Sequence, residues 1–79
     1  MQITIKLRGT LTKYFDGQKE KTMEVPDGSS AEEALMAAGI DWKSIPNFGF
    51  VAINGKRMMI YDKLQEGDEL KAYSKISGG

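Results

Sequence analysis

The sequence contains no cysteine and no histidine, and these two absences exclude several classes of chemistry. Without Cys there is no thiolate nucleophile, persulfide or disulfide. Without either residue, zinc sites made with Cys or His and the commonest general base at neutral pH are missing as well. A catalytic constellation would have to be assembled from carboxylates, Lys, Ser or Tyr alone. No G-x-S-x-G, G-x-x-x-x-G-K-[ST] or G-x-G-x-x-G occurs, so acyl transfer and phosphate binding lack their usual supports. No apolar run approaches the roughly 20 residues of a spanning helix. The start, Met1-Gln2-Ile3-Thr4-Ile5-Lys6, passes directly into an alternating pattern without the h-region of a signal peptide. No membrane partner and a cytoplasmic location are expected. The 11 basic and 11 acidic residues cancel, so no net charge draws the chain to nucleic acid or anionic lipid. These absences leave a substrate or a binder, not an enzyme.

What is present reads as one small globular domain. With 79 residues there is no room for a second core, and 41% hydrophobic with 28% charged residues argue against disorder. Ile3, Ile5 and Leu7 alternate with Gln2, Thr4, Lys6 and Arg8, the period of a half-buried strand. Gly9 to Gly17 reads as a long connection whose aromatics, Tyr14 and Phe15, fold back on the core, with a turn at Asp16-Gly17. Lys19 to Val25 resumes alternation, Met23 and Val25 inward, and completes a hairpin.

Pro26-Asp27-Gly28 ends that strand, and Ser29-Ser30-Ala31-Glu32-Glu33 announces a helix. Either serine can be the N-cap, and each has a Glu three residues later, as a capping box requires. Ala31, Ala34, Leu35 and Ala38 form a narrow stripe of small apolar residues suited to close packing on a sheet, and Gly39 closes the helix with Ile40 packing back. Asp41 to Gly49 is an irregular linker in which Trp42 covers the helix end or the core rim. Phe50-Val51-Ala52-Ile53 suits an interior strand, and Asn54-Gly55 is a strong hairpin signal leading to a strand over Lys56 to Ile60. Glu66-Gly67-Asp68 turns into a last strand, Glu69-Leu70-Lys71-Ala72-Tyr73. Acidic residues Glu32, Glu33, Asp62, Glu66, Asp68 and Glu69 fall at caps and turns, which accounts for them without a metal.

The expected fold class is α+β, about five strands on one main helix, which the resemblance given below implies form a mixed sheet, with a domain over 1–73 and a flexible tail over 74–79. If Ile3, Ile5, Val51, Ile53, Leu70 and Ala72 face the helix, alternation places Thr4, Lys6, Arg8, Phe50, Ala52, Lys71 and Tyr73 on the other face. That face is apolar at its centre and basic around it. Its aromatic residues are of the types enriched at interfaces, which makes it the candidate docking surface. The tail, Ser74-Lys75-Ile76-Ser77-Gly78-Gly79, ends in two glycines. A diglycine presents an unhindered carboxylate, since neither residue has a Cβ.

Order, length and tail together resemble the ubiquitin-like β-grasp proteins, in particular the small sulfur carriers typified by the small subunit of molybdopterin synthase (MoaD) and the thiazole-synthesis carrier (ThiS). Three stretches carry the resemblance. Val51-Ala52-Ile53-Asn54-Gly55-Lys56 looks like the central strand and turn, and Leu64-Gln65-Glu66-Gly67-Asp68-Glu69-Leu70 resembles the L-x-x-G-D-x-[VIL] segment. Ile76-Ser77-Gly78-Gly79 resembles the family's ending. The resemblance implies that a partner adenylating enzyme, using ATP and magnesium, joins the Gly79 carboxylate to AMP, and that a sulfur donor then leaves a Gly79 thiocarboxylate. No cofactor would be bound by the chain itself. Gly78 and Ser77 would thread a narrow channel, and Ile76 would anchor the tail, burial of such a side chain contributing about 1.5 to 3 kcal/mol. A large synthase subunit is a further implied partner. A ubiquitin-like modifier joined through Gly79 to lysines, or a plain interaction domain, are the alternatives.

Overall fold

The computed structural model of the chain describes residues 1–15 and 20–75, Phe15 in its backbone only. The alternation at the start becomes β1 (Gln2–Arg8), with Ile3, Ile5 and Leu7 buried and the residues between them facing outward. β1 pairs antiparallel with β2 (Glu20–Glu24), Ile3 opposite Met23. On its other side it pairs in parallel with β5 (Glu69–Ser74), Ile5 opposite Leu70 and Leu7 opposite Ala72. β5 also pairs antiparallel with β3 (Phe48–Ile53), and β3 with β4 (Lys56–Met58). The strand order is β2-β1-β5-β3-β4. The last strand in sequence therefore lies at the centre of the sheet. A parallel pair cannot be joined by a hairpin and needs a long crossover, and everything from β2 to β4 serves as that crossover.

Helix α1 (Ala31–Ala37) lies within it. Of the two possible N-caps, Ser30 is used. Its hydroxyl accepts from the Glu33 N–H at 3.2 Å, and the Glu33 carboxylate accepts from the Ser30 N–H at 2.9 Å, a complete capping box. The other two N–H groups of the first turn donate to main-chain carbonyls after β4, Ala31 to Asp62 at 3.0 Å and Glu32 to Ile60 at 2.8 Å. At the far end Gly39 donates to Met36 and Ile40 to Leu35, the paired bonds of a Schellman motif. Ala31, Ala34, Leu35 and Ile40 join Ile3, Ile5, Leu7, Val51, Leu70 and Ala72 in a single core cluster.

Several boundaries differ from expectation for local reasons. The connection after β1 is a 3-10 helix over Gly9–Phe15. Leu11 is its core residue, fully buried, whereas Tyr14 is 39% exposed and does not fold back on the core. A second 3-10 turn, Trp42–Ser44, interrupts the linker, and β3 starts at Phe48. β4 stops at Met58 because the Asp62 carboxylate takes the Met59 N–H at 2.8 Å and the Ile60 carbonyl turns to the helix. Met59 is left 70% exposed, with Met58 partly buried against the core. β5 runs through Ser74. The side chain of Phe15 and the Asp16-Gly17 turn lie outside the described residues, as do Ile76, Ser77, Gly78 and Gly79. Among the described residues no helix is long and apolar enough to cross a membrane.

Candidate docking face and tail exit

The sheet face turned away from α1 is built by cross-strand register. Lys6 lies opposite Lys71 and Arg8 opposite Tyr73 across β1 and β5, and Phe50 faces Tyr73 and Ala52 faces Lys71 across β5 and β3. Phe50 and Tyr73 stack, ring centroids 4.6 Å apart and planes 13° from parallel. Thr4 is drawn to the β2 side, its hydroxyl 3.2 Å from that of Thr22.

Two expectations for this face change. Ala52 is buried, so it floors the face without presenting itself. Glu69 opens β5, as the expected last strand has it, and lies on this same face, where the expected basic rim left it out. There it pairs with Lys6 at 2.9 Å and Lys71 at 3.5 Å. These lysines, Lys6 first, hold the Glu69 carboxyl below its ordinary range, and in return Glu69 neutralises part of the basic rim. The cation that meets the aromatic pair is Arg57 of β4, its guanidinium carbon 4.5 Å from the Phe50 ring centroid. Arg57 was absent from the expected set, yet its position is readable. A two-residue Asn54-Gly55 turn forces Ile53 opposite Lys56 and hence Ala52 opposite Arg57. Asn54 and Gly55 have φ of 52° and 83°, as a type I′ turn requires.

The end of β5 is held from both sides. The Ser74 hydroxyl accepts from the Thr10 N–H at 3.3 Å, the Lys75 N–H donates to the Asn47 carbonyl at 2.6 Å, and the Asn47 side-chain amide donates to the Thr10 hydroxyl. A register shift between Phe48 and Phe50 places Gly49 against this segment. A Cβ on Gly49 would come within 2.9 Å of the Ser74 carbonyl carbon and the Tyr73 oxygen. The same bulge sends Phe48 to the core rim, where its ring lies 5.9 Å from Trp42, while Phe50 takes the open face. Trp42 donates its indole N–H to Glu32 at 3.0 Å, so it does lie against the helix. No group of three or more carboxylates among the described residues is placed to hold a metal. The remaining acidic side chains are used locally: Glu66 accepts from Gln2 N–H, and Asp68 accepts from Gln65 N–H and the Asn54 amide.

Five strands in the order β2-β1-β5-β3-β4, a parallel β1/β5 pair and one helix across the inner face decide the architecture. The fold is the ubiquitin-like β-grasp. No protein-family model matches the sequence, and no curated protein does. Among solved structures, the β-grasp of this chain is similar to that of SAMP1 of Haloferax volcanii, at 21% identity over 100% of both chains with a TM-score of 0.78. It is also similar to Urm1 of Trypanosoma brucei, at 14% identity over 99% of this chain and 95% of that one, TM-score 0.74. A third is a chain of the complex of subunits 1 and 2 of molybdopterin-converting factor of Helicobacter pylori, at 12% identity over 100% of both, TM-score 0.66. At these identities the likeness establishes the β-grasp fold alone.

Proposed function

We propose that this chain is a sulfur carrier protein acting through the carboxylate of Gly79. The observation that carries the reading is the position of β5. The strand at the centre of the sheet ends in a clamped exit at Ser74 and Lys75, immediately before Ile76-Ser77-Gly78-Gly79 in the sequence. A rigid body ending in a glycine carboxylate is the form a protein needs when its own terminus is another enzyme's substrate. In the first step a carboxylate oxygen of Gly79 attacks the α-phosphorus of ATP, pyrophosphate leaves, and magnesium held by the partner offsets the phosphate charge. In the second, a sulfide-level nucleophile from a sulfur donor attacks the acyl carbon and AMP leaves, giving the thiocarboxylate. The chain contributes the acyl group and the docking face of Phe50, Tyr73, Lys6, Arg8 and Lys71 over Ala52, now with Arg57. The adenylating enzyme contributes the catalysis. Transfer would serve cofactor biosynthesis of the molybdopterin, tungstopterin or thiamine type, and the subunit complex of the H. pylori converting factor supports a large synthase subunit as a further partner.

A second reading, conjugation of Gly79 to lysines of other proteins, is favoured by the likeness to SAMP1, which bears the name small archaeal modifier protein. The two are separated by intact-mass measurement of the protein from its native host, with fragmentation to locate any change. Exchange of one oxygen for sulfur on Gly79 establishes the carrier. Gly79 in isopeptide linkage without any thiocarboxylate establishes the modifier and removes the carrier.

A further inference from the structure

Next to the docking face, with which it shares Phe50 and Arg57, and between the 42–48 connection and β4 with the residues after it, lies an open groove of about 420 Å³, within the usual range of about 300 to 1,000 Å³ for ligand clefts. Its wall is apolar: Trp42, Phe48, Met58 and Ile60, with Met59 at the edge. Met59 is 70% exposed, and an unbranched thioether adapts its shape to whatever meets it. The charged residues of the lining are Lys43, Arg57 and Lys75, and no carboxylate is among them. In a chain whose charges cancel, this is a local excess of one sign. Little of it is neutralised. Lys43 approaches Glu32 only to 3.9 Å, and neither Arg57 nor Lys75 has an ion pair among the described residues. The indole N–H of Trp42 is already bonded to Glu32, so the ring offers the groove apolar surface and not a donor.

We infer that this groove docks a short acidic segment of a partner protein, one bulky apolar side chain entering between Trp42 and Met59 while flanking carboxylates meet Lys43, Arg57 and Lys75. An apolar anchor inside a charged rim is the arrangement that yields both affinity and selectivity at protein interfaces. The occupant differs from the adenylating enzyme's catalytic channel, which would take the tail, and the inference stands or falls independently of sulfur chemistry.

Trp42 is the only tryptophan, so its emission reports occupancy directly. The full-length chain is titrated with an array of synthetic dodecapeptides, each with one central Leu or Phe flanked by Asp and Glu at varied spacing, beside an array with Asn and Gln in their place. The expected result is a shift of Trp42 emission by members of the acidic array, with about tenfold tighter binding than their amide counterparts at low salt and less at high salt. Lys43→Glu and Met59→Asp, both at exposed side chains and checked for unchanged thermal unfolding, should each weaken binding about tenfold. The inference is overturned by an acidic array that fails to bind, by equal binding of the amide array, or by binding that neither variant alters. Preference for a single-stranded oligonucleotide over the acidic array overturns it too. So does binding that emerges only on deletion of residues 76–79, which would assign the groove to the chain's own tail, or Trp42 emission that depends on protein concentration without peptide, which would assign it to a second copy.

Discussion

Gly49 and Phe50 are neighbours with opposite duties, and each carries a prediction. Gly49 lies where β3 approaches the end of β5 so closely that an added Cβ would meet backbone atoms of Tyr73, Ser74 and Lys75 at 2.9 to 3.0 Å. Backbone cannot swing aside as a side chain can. Gly49→Ala should therefore cost about 1 to 3 kcal/mol, the usual range for overpacking, read as a lower urea midpoint at unchanged m-value. Gly28, with open space where a Cβ would be built and a φ of +84°, is the comparison, since an Ala there is strained in backbone alone. Phe50 has the outward role. It is partly buried, stacked on Tyr73 and covered by the Arg57 guanidinium. Phe50→Asp forfeits the aromatic pair, about 0.5 to 1.5 kcal/mol, but places its carboxylate beside Arg57 and so leaves the domain folded. If the face is an interface with the activating enzyme, the same change removes an anchor of about 2 kcal/mol or more. The expectation is a KM for adenylation raised well beyond tenfold with kcat little altered. An unchanged KM in a folded variant ends the docking role.

At the scale of elements, α1 shows why some of the architecture was legible and some was not. Its start and stop depend on residues within a few positions of each other: Ser30 with Glu33, and Gly39 and Ile40 with Met36 and Leu35. Signals of that reach survive in a sequence. The bonds from Ala31 to Asp62 and from Glu32 to Ile60 do not, because nothing near Asp62 marks it as a partner of a helix thirty residues earlier. The same holds for Tyr14. A short run containing Leu11 and Tyr14 does not say which side chain a 3-10 helix turns inward, and of these two the buried one is Leu11. The capping box yields a pH prediction as well as a mutational one. Ser30→Ala should cost about 0.5 to 2 kcal/mol, measured by chemical denaturation. The Ser30 main-chain N–H, followed by its hydroxyl, holds the Glu33 carboxyl below its ordinary range. The folded state thus favours the ionised form. That stabilisation is fully present above the unfolded value of about 4.3 and is lost as pH falls through the lower folded value. A Glu33→Gln variant should lose stability relative to the parent near neutral pH, and the gap should close as the solution is acidified below about pH 4. A gap that stays constant with pH would mean that Glu33 acts through its shape and not its charge.

On the scale of the molecule, the order of the strands is what alternation could not show, since it reports which face of a strand is buried and, outside the two hairpins that the turns mark, not which strand lies beside it. The resemblance over Val51 to Lys56 and Leu64 to Leu70 supplied the architecture, and the pairing of β5 with both β1 and β3 explains its significance. The chain's final strand is fixed on two sides, and its last residues are bonded to Thr10 and Asn47. Gly78 and Gly79 carry no side chain that could join a core, so their removal tests chemistry apart from side-chain packing. The truncated chain should unfold at the same urea concentration as the parent, within about 0.5 kcal/mol, the ordinary spread for changes that touch no packed feature. In ATP–pyrophosphate exchange with the proposed activating enzyme it should show no activity, because the residue whose carboxylate would attack the nucleotide is gone, while still competing with the parent for the enzyme through the Phe50 face. Loss of exchange with competition retained separates the acyl group from the docking surface, as the proposed division of labour requires. Exchange that persists in the truncated chain would place the reacting group elsewhere and leave the β-grasp body as an interaction domain whose final glycines carry no chemistry.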